Sequence, residues 1–345
     1  MTKQSSNLFI LILSVLIALF LINGVYDHFF GFGYIFYELK AVVMHAVEDD
    51  DSWWPMYEAT IARRLYPDEG IYEVVFFQNN IKFQYPPISL LPYMILVKLG
   101  FEFSTIVMIS STVSLAAMFG IAVCGYKIAT TLLIRYDKVE SFSKSARFGI
   151  FLVTLFSILT FHPVIIAQYL GQIQVIIDLL VCVAFLAWLN DKKYISGGMF
   201  AIAALIKPQL MLLLIWALIR REKSCLIGMF AIFIPAGIIS LAIFGFQEHL
   251  DYLKVLSYIG NRGEIFWPNQ SMNGILNRLL VDASIGKFDE FSYSKYNPYV
   301  YAGTLISTIG FILFGLFYNR PKVITGMSEK SRIFISSLDL ATMVL

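Results

Sequence analysis

Glu48-Asp49-Asp50-Asp51 runs directly into Ser52-Trp53-Trp54-Pro55. An acidic run is ordinarily a solvated turn. Tryptophan rings, however, settle at a membrane–water boundary, and a carboxylate held beside them is partly desolvated. That raises its pKa and suits it to general-base work, so one aspartate of the run is the candidate base. A Ca²⁺ loop fits less well, because the run lacks the alternate-residue ligands and the glycine of an EF-hand. Farther on, Phe83-Gln84-Tyr85-Pro86-Pro87-Ile88 fixes two φ angles and removes two backbone donors, which punctuates the start of a helix.

Residues 162–178 read HPVIIAQYLGQIQVIID. Gln174 and Asp178 are four apart and share a helix face. An ionised Asp in a membrane helix costs roughly 2.5–3.5 kcal/mol, so Asp178 faces a partner or a cavity. A structural hydrogen bond and a site role are both open. His162, before Pro163, reads as a turn residue, and no second His stands at metal-binding spacing. Lys207-Pro208 interrupts the apolar stretch 194–219. A lysine beside a broken helix suits an anionic head group or a pairing with Asp178. Finally, Trp267-Pro268-Asn269-Gln270-Ser271 places amides and a hydroxyl next to an indole, the composition of a carbohydrate subsite. Asn269 to Ser271 also spell a glycosylation sequon, a pattern frequent by chance.

The elements that must position these groups are apolar. The chain has 345 residues, 58% hydrophobic and 14% charged, with net charge +2. Soluble domains carry about 45–50% apolar and ~25% charged residues, so a soluble domain, a disordered chain and a nucleic-acid binder are excluded. Cys124, Cys182 and Cys225 lie in apolar runs and read as packing residues. Residues 7–23 form a retained anchor, and further uncharged runs cover 103–126, 148–177, 179–190, 225–247 and 299–318.

Short connections at 1–6, 135–147, 191–193, 220–223 and 320–332 hold 14 basic side chains in 39 residues. The long connections 25–85 and 246–298 hold 9 in 114. The short set is therefore cytoplasmic, with the N-terminus, and both long loops face outward. Parity then makes 86–99 a re-entrant or interfacial helix, with 103–133 crossing the bilayer. It also makes 194–219 a hairpin of two half-helices with Lys207 near its tip. The apolar stretch 333–345 is too short to span, as in a fragment or an end packed on the bundle. The expected fold is an all-α polytopic membrane protein: one domain over 1–345, two long extracytoplasmic loops, and broken or re-entrant half-helices.

In this order, the acidic first loop, FQYPPI, LGQIQVI with ISGGMFAIAALIKPQL, and WPNQSMNG resemble the membrane-embedded glycosyltransferases of the GT-C superfamily. The resemblance is to family 87, the polyprenyl-phosphate-mannose-dependent mannosyltransferase type, over roughly residues 45–280. It implies a helical membrane bundle in the cell (plasma or inner) membrane, working outside the cytoplasm without a cofactor or catalytic metal. The implied partners are a lipid-linked sugar donor, a glycan or glycolipid acceptor and the bilayer, with no nucleic acid.

The family places its catalytic aspartate ahead of an aromatic Tyr-x-Ala stretch, matched here by Tyr57-Glu58-Ala59, so Asp51 fits first and Asp50 second. Gln172 and Lys207 match its Gly-Gln and Lys-Pro positions, and Asn269, Gln270 and Ser271 its Asn-Gln-Ser. Tyr85, Trp54 and Arg63 join the expected substrate-binding set, and Asp178 has no assigned family position. Family members run on past the equivalent of Leu345, which agrees with a truncated or short chain. The implied reaction inverts the sugar in one displacement, with Asp51 as base and Lys207 meeting the leaving phosphate in the same outward pocket. A transporter or flippase of a polar lipid or small anion is the alternative.

Overall fold

A computed structural model describes residues 50–137, 142–263, 265, 269, 271–281 and 293–318. The anchor at 7–23, the terminal stretch 333–345, Trp267 and Gln270 lie outside the described residues. The chain divides into two compact units. Helices are α1 (Trp53–Leu65), α2 (Leu91–Lys98), α3 (Phe103–Asp137), α4 (Lys144–Thr160), α5 (His162–Tyr169), α6 (Gln174–Leu189), α7 (Lys193–Ile206), α8 (Leu212–Ile219), α9 (Lys223–Arg262), α10 (Met272–Leu280) and α11 (Pro298–Tyr318). Among the described residues, α3 and α9 are long and apolar enough to cross a membrane, and α4 with α5 make a third span if their bent pair counts as one.

The first unit comprises, of the described residues, 50–54, 96–203 and 224–230. Here α3 packs along α4 and α6. Ala117, Met118 and Ile121 of α3 meet Val164, Ile165 and Ala167 of α5 and Val175 of α6, with Leu179 and Cys182 against them. Within the uncharged run 148–177 the chain bends by 57° between α4 and α5, at the position where His162 before Pro163 reads as a turn. Phe161 leaves the helical region (φ −82, ψ 99) and Pro163 sits in the first turn of α5, where its missing N–H costs nothing. His162 is thus the first residue after a break. α7 and α9 cross backbone to backbone. A Cβ on Gly197 would stand 1.9 Å from the Cys225 carbonyl oxygen, and one on Gly228 2.1 Å from that of Tyr194.

The second unit comprises 55–95, 204–223 and the described residues from 231 onward. Its interior is aromatic. Tyr72 stacks on Phe83 with centroids 5.4 Å apart and tilts against Tyr252 at 5.5 Å. A π-helical turn, Glu73–Gln78, carries Phe76 into this cluster, against Tyr258. Glu248 Oε1 accepts from Ile71 N at 2.8 Å, two residues before that turn. α10 packs on α11.

Both long connections are partly helical among the described residues. Residues 53–65 form α1, burying Pro55, Met56, Ala59 and Ala62 at helical spacing. α9 runs on past 247 to Arg262, interrupted at Gly245 (φ 76). His249 spans this break, its ring nitrogens 2.7 Å from Gly245 O and 2.8 Å from Ser240 Oγ. The short helix expected over 86–99 is present as a 3-10 turn, Pro87–Leu90, followed by α2.

Candidate active site

The acidic turn before α1 is fastened to the turn between α5 and α6. Asp51 N donates to Leu170 O at 2.9 Å, and Ile173 N donates to Ser52 Oγ at 3.0 Å. Between these two links, Gln172 Nε2 donates to Asp51 Oδ2 at 2.6 Å. Gly171 makes the receiving turn possible, because its φ of +62 is a left-handed conformation that side chains disfavour. Two stretches 121 residues apart are therefore held in fixed register.

Burial separates the two carboxylates. Asp51 is exposed, whereas Asp50 retains 6% of its surface. Loss of hydration, followed by the negative charge of Asp51, pushes the Asp50 carboxyl up from 3.8 to about 7. Folding thus favours the protonated form of Asp50. The associated stability is complete below the unfolded value near 3.8 and is lost as pH rises through about 7. Thermal unfolding in nanodiscs tests this. Wild-type protein should lose stability between pH 5 and pH 8 that Asp50→Asn keeps, and equal pH dependence in the two would contradict the assignment.

Ser52 is the member that sequence reading misses. It is fully buried, and its hydroxyl receives the Ile173 N–H, one of the donors left over at the start of α6. A serine just before a helix reads as the cap of that helix, and nothing local reveals a cap supplied to a remote one.

The other expected residues divide between the units. In the first, Gln174 Nε2 donates to Asp178 Oδ1 at 2.6 Å, the shared helix face read from the sequence. Trp54 is 45% exposed and meets Phe103 edge-on, with centroids 5.7 Å apart.

In the second unit, Arg63 donates to the carbonyl oxygen of Ile243 and lies 4.7 Å over the Phe244 ring. It thereby serves one carbonyl beside the Gly245 break. Tyr85 gives its carbonyl to the Tyr72 hydroxyl at 2.6 Å. Lys207 is half-buried in extended backbone (φ −124, ψ 94) and caps the 3-10 turn Pro208–Met211, so the helix breaks at the residue the sequence indicates. Asn269 and Ser271 act on backbone: Ser271 Oγ donates to Asn269 Oδ1 at 2.7 Å and accepts from Gly274 N at 3.2 Å, which caps α10.

Comparison with known families supplies one match. The model of glycosyltransferase family 87 fits residues 83–324. No curated protein and no solved structure matches the chain.

Proposed function

The chain belongs to glycosyltransferase family 87, and on that premise we propose that it moves a sugar, mannose or another hexose or pentose, from a polyprenyl-phosphate donor to a hydroxyl of a glycan or glycolipid acceptor. Family membership and the apolar helices make it a membrane glycosyltransferase. The observation that carries the rest is the exposed Asp51 carboxylate, fastened through backbone and side chain to the Leu170–Ile173 turn. Placement on the extracytoplasmic face is supported by the concentration of Lys and Arg in the short connections.

In the proposed reaction the acceptor oxygen attacks the anomeric carbon as its proton passes to Asp51. The bond from that carbon to the phosphate oxygen breaks, and its electron pair leaves with the lipid phosphate. One displacement inverts the anomeric centre. The departing phosphate calls for a cation, and Lys207, at the break before Pro208–Met211, is the residue expected to supply it. No step uses a metal.

Purified protein in proteoliposomes provides the test, given farnesyl-phosphate hexoses and pentoses in turn together with a glycolipid extract. The expected result is release of farnesyl phosphate and a glycosylated lipid of inverted configuration from one member of the panel. Transfer from nucleotide sugars and from none of the farnesyl phosphates would overturn the donor assignment. Counterflow of donor without sugar transfer would favour the transporter reading instead.

A further inference from the structure

Asp50 and Asp51 are adjacent carboxyls that meet different surroundings, and the difference has a named source. Carboxylate oxygens only accept hydrogen bonds, so the amide nitrogen of Gln172 must be the end that faces Asp51 Oδ2, 2.6 Å away. A donor at that distance stabilises the anion more than the acid, because bonds to charged groups are about twice as strong as neutral ones. The links from Leu170 to Asp51 and from Ser52 to Ile173 flank Gln172 on both sides, so the amide cannot drift from its target. Asp50 lies away from solvent beside that same charge.

We propose that Gln172 is a positioning residue that decides where the pair's shared proton sits: by donating to Asp51 Oδ2 it keeps that carboxyl anionic and leaves the proton to Asp50. The charge of Asp51 acts on Asp50, in agreement with the elevated titration of the buried carboxyl. Other titratable groups on the adjoining elements are Tyr57 and Glu58 along α1, His162 and Tyr169 on α5, and Asp178 on α6, which takes the Gln174 amide proton. What the anionic Asp51 then does rests on the glycosyl-transfer reading. The location of the proton does not.

Infrared difference titration of the full chain in proteoliposomes reads protons rather than turnover. In the wild type, the protonated carboxyl band that persists toward neutral pH should vanish in Asp50→Asn. With Asp50→Asn as background, Asp51 titrates alone. Adding Gln172→Leu should raise its proton affinity roughly tenfold, the worth of one hydrogen bond to a charged group. The near-isosteric Gln172→Glu keeps the shape of the turn and should raise it further, since two facing carboxyls share a proton. Survival of the wild-type band in Asp50→Asn would overturn the proposal, as would an Asp51 titration that neither Gln172 variant moves. Absence of sugar transfer alongside the expected titrations would reject the catalytic reading and leave the proton placement intact.

Discussion

Asp51→Asn is expected to lower sugar transfer by roughly 10²–10⁴, the range that a positioned general base contributes. Asparagine keeps the shape of aspartate, and its side-chain oxygen still accepts from Gln172, so the turn stays fastened. It has no basic carboxylate to receive the acceptor proton. On the proposed reading Asp51 meets the acceptor hydroxyl and not the donor phosphate, so kcat should fall far more than KM for the donor rises. Initial rates from the active farnesyl-phosphate sugar, compared with wild type at equal amounts of folded protein, decide the matter. A variant that turns over at the wild-type rate would remove Asp51 from the chemistry. Asp50→Asn should lose less, because its neutral amide resembles the protonated acid already favoured there.

Gly197→Ala should prevent accumulation of folded protein. The added methyl carbon would sit 1.9 Å from the Cys225 carbonyl oxygen and 2.9 Å from Met229 N. Both are backbone atoms, so no rotamer change makes room and α7 must separate from α9. Overpacking a core costs about 1–3 kcal/mol where side chains can yield. A backbone clash exceeds that and takes a large share of the 5–15 kcal/mol that holds a typical domain together. Gly237 on α9 is the matched control, since a Cβ there meets nothing within 4 Å. Fluorescence-detected size exclusion of the two variants should show aggregation for Gly197→Ala and a wild-type peak for Gly237→Ala. A wild-type peak for both would mean that the α7 and α9 backbones do not touch at Gly197. Small residues at such crossings are how membrane helices approach without a hydrophobic drive between them.

What the sequence made legible follows from how far each signal reaches. Gln174 and Asp178 are joined by helix geometry alone, and the break at Lys207-Pro208 by the chemistry of proline, so both are visible locally. The meeting of Asp51 with Gln172 spans 121 residues and was accessible only through the order of the motifs. The family match begins at residue 83, after the acid pair. Membership of Asp51 in the site therefore rests on its bonds to a turn inside the matched span, and that of Asp50 on its place beside Asp51. α1 escaped notice because its buried Pro55, Met56, Ala59 and Ala62 are interspersed with Glu58, Arg63 and Arg64, leaving no apolar run to see. The break at Phe161 is legible as a turn, because His162 stands before Pro163, whereas the 57° of the bend is not. Asn269 and Ser271, the expected sugar contacts, bond each other through their side chains, and Ser271 Oγ also accepts from Gly274 N at the start of α10.

α3 and α9 differ in what surrounds them: 44% of the apolar stretch of α3 is covered by protein, against 17% for α9. Ile234, Ile238 and Leu241 point outward accordingly. As a span, α9 would present most of this stretch to acyl chains, and the bilayer would act as a structural component rather than a container. A short-tailed micelle supplies neither the thickness nor the lateral pressure of that environment, so the choice of solubilising agent governs how much native protein survives purification.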